Sequence, residues 1–180
     1  NRIVEAGWKA VVKSRPPALL SQRSSQLVEL GNLEDDFDKL ADVDLIVEAI
    51  VENLDIKRGL YERIEKIRKP DCIVATNTSG LPIKDLAEGR DEGFKKHFLG
   101  MHFFNPPRWL KLLEIIPHGG TDSDVLDYIV DFSEETLGKG VGNGPRPAAM
   151  VAIREGGAKP LLAARDRTNC LLDTSDVAMQ

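Results

Sequence analysis

Between residues 45 and 50 the chain reads Leu-Ile-Val-Glu-Ala-Ile, nearly continuous apolar and β-branched, as in a strand covered on both faces of a parallel sheet. Cys72-Ile73-Val74-Ala75-Thr76 reads the same way. Between these runs Leu54, Ile56, Leu60, Ile64 and Ile67 recur at helical spacing. Lys and Arg crowd the far end of that helix, where its dipole favours cations, and Lys69-Pro70 closes it. Earlier, Ile3, Val4, Trp8, Val11 and Val12 predict a helix over 2–13, ended by Arg15-Pro16-Pro17. Leu27 to Leu30 is a short strand candidate, and Asn32 caps an acidic turn with Leu33, Phe37 and Leu40 on one helical face. Further on, the pattern predicts a short helix from Leu81 to Leu86 ended by Gly89, then strands at Phe98 to Phe104 and Leu110 to Ile116. A last helix, capped by Thr121-Asp122, runs through Val125, Ile129, Val130 and Phe132 and stops at Gly138. Strands alternating with helices of this length predict an α/β fold, a Rossmann-type mainly parallel sheet with flanking helices.

Composition narrows the function classes. A chain of 180 residues is one domain's worth with a sizeable core. The net charge of -5 argues against a nucleic-acid partner, which rewards a basic face. Cys72 and Cys170 lie far apart without ligand spacing, so no metal site and a reduced, cytoplasmic location are expected. No apolar run is long enough for a membrane span. After Val141, Gly142-Asn143-Gly144-Pro145-Arg146-Pro147 is a turn-rich break, dividing residues 1–141 from an atypical tail over 142–180.

Three motifs fall at strand ends, where open α/β sheets bind ligands. The first, Glu48-Ala49-Ile50-Val51-Glu52-Asn53-Leu54-Asp55-Ile56-Lys57, leaves one strand and enters its helix; Glu52 and Lys57 read equally as solvated charges. The second, Ala75-Thr76-Asn77-Thr78-Ser79-Gly80, offers small hydroxyl and amide groups suited to a ligand hydroxyl or carbonyl, or to helix capping. The third is Met101-His102-Phe103-Phe104-Asn105-Pro106, followed by Glu114 in the next strand. A histidine oriented by a glutamate is a usable acid–base pair, although a histidine between a methionine and two phenylalanines is, taken alone, more often packed than reactive.

In this order, the motifs resemble the NAD-binding domain of the 3-hydroxyacyl-CoA dehydrogenases of fatty-acid β-oxidation. The resemblance runs from about Gly31 to Val141, and its early portion looks most like the bifunctional prokaryotic forms that also carry an enoyl-CoA hydratase module. It implies oxidation of an L-3-hydroxyacyl-CoA to the 3-ketoacyl-CoA with NAD as cofactor. His102 corresponds to the general base, Glu114 to the carboxylate that orients it, and Ser79 to the residue at the substrate oxygen beside the nicotinamide. Glu52, Lys57 and Asn105 correspond to residues lining the cofactor site. A homodimer is expected of the parent enzyme.

The family begins with a strand and a Gly-x-Gly-x-x-Gly turn that brings the pyrophosphate to a helix N-terminus. Gly138-Lys139-Gly140-Val141-Gly142-Asn143-Gly144 lacks the third glycine at that offset and follows a helix instead of opening one. The chain is therefore expected to be an N-terminally truncated, inactive piece of such an enzyme with weak or absent NAD binding. Two other readings stand beside it: a non-catalytic α/β binding module without dinucleotide binding, and a His–Glu hydrolase, which lacks a Gly-x-Ser-x-Gly elbow.

Overall fold

The computed structural model describes residues 2–141. Its centre is a four-stranded sheet in the order β1 (Leu45–Glu48), β2 (Ile73–Thr76), β3 (Phe98–Phe103) and β4 (Leu113–Ile116). The first three strands are parallel and β4 runs antiparallel to β3. Helices α1 (Arg2–Lys13), α2 (Leu54–Ile67), α3 (Ile83–Leu86), α4 (Glu92–Lys96) and α5 (Ser123–Asp131) accompany it. The sheet is thus mixed and mainly parallel, with Rossmann-like connections across β1, β2 and β3.

Side chains along each strand alternate between two cores, as the pleat requires. Val74 and Phe98 pack on one face with Ile46, Leu60, Tyr61, Ile64, Leu86 and Phe94. Ile73, Ala75, Leu99 and Met101 pack on the other with Leu113, Ile115 and Ile129 of α5. The Tyr61, Phe94 and Phe98 rings interlock, with centroids 5.1 Å apart for Tyr61–Phe98 and 5.2 Å for Phe94–Phe98. Helix α2 starts where expected because the Asn53 side chain accepts from the Ile56 backbone N–H at 3.1 Å. Gly100 lets α3 and β4 close on β3: a Cβ there would lie 3.0 Å from both Ile116 Cβ and Ile83 Cδ1.

Four local expectations need correction. Leu27 to Leu30 forms no strand; a short 3-10 helix over Gln22–Leu27 ends there, and Leu27 is 88% exposed. An apolar run becomes a strand only when it pairs with a ladder, and this segment pairs with none of β1 to β4. The last strand begins at Leu113, three residues later than the apolar run suggests. Helix α4 went unanticipated because it is five residues long and buries a single side chain, Phe94, behind the Asp91 cap. Helix α5 ends at Asp131 and passes into a π-type turn over Phe132–Thr136 before Gly138 adopts a φ of +63°. The expected tail over 142–180, with Cys170, lies outside the described residues. No helix among the described residues is long and apolar enough to cross a membrane.

Candidate active site

The carboxyl ends of β1, β2 and β3 converge, and each delivers one of the three motifs. In the β3–β4 register His102 stands directly opposite Glu114. Cross-strand partners project from the same face, so the two side chains meet: His102 Nδ1 lies 2.7 Å from a Glu114 carboxylate oxygen. An ionised carboxylate can only accept, which places the proton of a neutral imidazole on Nδ1 and leaves the Nε2 lone pair available. Ser79 Oγ lies 3.1 Å from that Nε2. The His102 and Glu114 side chains are 14% and 16% exposed, open to a ligand at one edge while shielded over most of their surface. The Phe104 ring packs 4.8 Å from the imidazole, centroid to centroid.

Ser79 is held by its neighbours rather than by its own side chain alone. One Glu52 carboxylate oxygen accepts from the Thr78 hydroxyl and from the backbone N–H groups of Ser79 at 3.1 Å and Gly80 at 2.9 Å. Thr78 Oγ1 in turn accepts from the Leu81 N–H, and Asn77 Oδ1 accepts from the Phe103 N–H at 2.8 Å, tying the loop to the strand that carries His102. Burial by itself would raise the Glu52 carboxyl. The hydrogen bonds from Thr78 and Gly80, the Lys57 charge and the Ser79 N–H outweigh it and hold the group below its ordinary value.

Lys57 does not reach the surface of this edge. It is 1% exposed, with Nζ 2.6 Å from a Glu48 oxygen and 3.6 Å from the second Glu52 oxygen. Glu48, equally buried, accepts from Lys57 and the Ile50 N–H on one oxygen and from Tyr61 and Thr76 hydroxyls on the other. Burial, reinforced by the adjacent Glu48 carboxylate, keeps the Tyr61 hydroxyl protonated and a donor. Sequence reasoning assigned no role to Glu48, Tyr61 or Thr76. The available signal was a glutamate inside an otherwise apolar buried run, followed nine residues later by a lysine on the covered face of the next helix.

Asn105 is exposed on the loop that leaves β3 at the same edge. That loop is clamped from two sides. Lys139 donates to the carbonyls of Pro107 and Leu110, and burial lowers its ammonium from the ordinary value. On the other flank Arg108 donates to the carbonyls of Pro17 and Leu19, and the Trp109 indole N–H to Pro17. The structure therefore gathers His102, Glu114 and Ser79 into one contact chain, with Glu52 behind the Ser79 loop and Lys57 underneath, while Asn105 stands exposed on the loop after β3 without a hydrogen bond to that chain among the described residues.

Comparison with known proteins bears on what this edge does. The model of the "3-hydroxyacyl-CoA dehydrogenase, NAD binding domain" family matches residues 3–141. A "Probable 3-hydroxyacyl-CoA dehydrogenase" of Deinococcus radiodurans is 48% identical over 141 residues, which are 78% of this chain and 41% of that protein. A protein of the same description from Bacillus subtilis is 44% identical over 156 residues, 87% of this chain and 20% of that protein. The chain thus spans well under half the length of these relatives. Among solved structures, that of M. tuberculosis FadB2 superposes with a TM-score of 0.61 at 29% identity, covering 77% of this chain and 47% of that one.

Proposed function

The chain belongs to the 3-hydroxyacyl-CoA dehydrogenase family, through its NAD binding domain, and on that premise we propose that the whole protein oxidises an L-3-hydroxyacyl-CoA to the 3-ketoacyl-CoA. The observation that carries this is the contact chain Glu114, His102, Ser79 at the carboxyl edge of the sheet. His102 Nε2 takes the proton of the substrate 3-hydroxyl, Glu114 stabilises the imidazolium that results, and Ser79 Oγ holds the substrate oxygen in line. In the reverse direction the protonated ring returns the proton. NAD+, when bound, supplies the acceptor for the hydride that leaves C3.

The residues at hand fit one end of that cofactor. Ser79 and Asn105 present a neutral hydroxyl and amide at the edge where a nicotinamide would lie, and Glu52 and Lys57 support that edge from behind and below. The diphosphate end calls for a glycine-rich strand-to-helix turn, and the described residues contain none. By itself the 180-residue chain is accordingly expected to bind NAD weakly. For the whole protein, the same reading gives a cytoplasmic homodimer acting in fatty-acid β-oxidation, with an acyl-CoA substrate and no nucleic-acid partner.

The test grafts residues 2–141 of this chain in place of the matching segment of the Deinococcus radiodurans relative and follows NADH formation from a 3-hydroxyacyl-CoA. Replacing His102 by Gln in an active graft should lower turnover by about 10²–10⁴, the usual worth of a positioned general base. Full turnover in that variant would make His102 structural and sink the mechanism.

A further inference from the structure

Glu48 is a heavily engaged polar group that lies beneath the reactive edge and touches none of the atoms assigned to chemistry. Its carboxylate joins three elements. Ile50 N–H follows β1, the Thr76 hydroxyl ends β2, and Lys57 and Tyr61 belong to α2. Each oxygen receives two donors, so the group is fully satisfied and has nothing left to offer a ligand. The Glu48 backbone carbonyl also accepts from the Asn77 N–H at 2.7 Å, at the first residue of the loop that carries Ser79.

Lys57 has a second, looser neighbour in Glu52 at 3.6 Å. Glu52 spends its other oxygen on the 78–80 turn. The arrangement is a relay in depth: Glu48 fixes the Lys57 ammonium, Lys57 draws one oxygen of Glu52 inward, and the remaining oxygen faces the loop at the angle its three donors need. A hydrophobic pair of the same volume would fill the space as well and avoid the cost of desolvating two charges. It would leave Glu52, whose side chain is 43% exposed, with its three loop donors on one oxygen and no inward partner for the other.

We propose that the buried Glu48–Lys57 pair is a positioning unit that, through Glu52, holds the Ser79 loop at hydrogen-bonding distance from His102. The proposal deepens the dehydrogenase reading by giving that site its support, and its test needs neither cofactor nor turnover. Isotope-labelled 180-residue chain is compared with the double variant Glu48→Gln/Lys57→Met, which keeps volume and leaves no buried charge unpaired. In the variant, amide exchange of Ser79 and Gly80 should accelerate by on the order of 10-fold relative to Leu99 and Met101 in β3. The 15N shift of His102 Nε2 should move while that of His118, which bonds the Lys95 carbonyl, stays.

Equal acceleration at all four amides would make the pair a stability element only, and unchanged exchange at Ser79 and Gly80 would remove its influence on the loop; either overturns the proposal. If the double variant does not fold, Glu48→Gln alone is judged by the same differential. Glu52→Gln should loosen the same two amides, and if it does while the double variant does not, Glu52 acts without the pair. An inactive graft with normal Ser79 protection would count against the dehydrogenase reading and leave the positioning role standing.

Discussion

Two carboxylates in this domain each grip a basic side chain at nearly the same distance, and burial alone separates what they can do. Glu48 meets Lys57 at 2.6 Å with both side chains 1% exposed; Glu114 meets His102 at 2.7 Å with 14% and 16% left open. In the closed pair every acceptor position is taken and the cation is enclosed, so the pair can bear load and cannot exchange a proton with a ligand. In the open pair one ring nitrogen is spent on the carboxylate and the other faces Ser79 and the edge of the sheet. The reactivity proposed for the open pair rests on that second ring nitrogen, for which the closed pair has no counterpart.

The largest effect that would sharpen this contrast comes from unpairing the closed side. Glu48→Ala removes the near partner of the Lys57 ammonium, leaving only the looser Glu52 contact at 3.6 Å, and should cost about 3–5 kcal/mol, a large share of a typical domain's stability; urea unfolding measures it, and a loss under about 1 kcal/mol would show the ammonium is not confined as described. Gly100 stands in β3 two residues before His102, where Ile83 of α3 and Ile116 of β4 close on it. Gly100→Ala must displace Ile116 or Ile83 from 3.0 Å contacts and should cost about 1–3 kcal/mol by the same measurement. An unchanged midpoint would mean that α3 yields freely.

On the open side, Glu114→Gln in the active graft should lower turnover by on the order of 10-fold to 10²-fold, less than loss of the imidazole, with little change in melting temperature. A variant that melts early while turning over normally would reverse the division of labour between the two pairs. The smallest effects concern pH. Because Glu52 is held below the ordinary value of 4.5, its grip on the loop is present above that pH and is lost as pH falls through the folded-state value. The Gly80 amide shift should therefore titrate with a midpoint under 4.5, and a midpoint above it would contradict the clamp. His118 has the opposite charge and a similar outcome: burial lowers its pKa despite the Lys95 carbonyl, so the unfolded chain binds the proton first. Stability should decline as pH drops below the ordinary 6.5, and His118→Gln should flatten that limb of the curve.

Much of this was legible in the chain before any coordinates. Strands β1 and β2 announce themselves by nearly continuous apolar runs, although β1 proves to be an edge strand of the described sheet with Val47 42% exposed and not one covered on both faces, and α2 by its spacing and Lys69-Pro70. The meeting of His102 with Glu114 was expected because strand ends and a family resemblance pointed to the same residues. Leu27 to Leu30 misled because strand formation depends on a neighbouring ladder that no local pattern reveals. The Glu48 cluster stayed hidden for a related reason: its donors come from a strand end, a loop and two turns of helix separated by 28 residues from Glu48 to Thr76, and only packing brings them to one carboxylate.

The antiparallel β4 has a consequence for how such a site survives genetic change. His102 and Glu114 are paired by strand register, while residues 104–112 between them form an outlying loop. Insertions or deletions confined to that loop can reshape this edge of the sheet and leave the His102–Glu114 contact untouched, whereas losing one residue inside either strand would turn Glu114 to the far side of the sheet. The loop and the pair are thus open to different kinds of inherited variation: the loop tolerates changes in chain length, and the pair demands strict residue spacing.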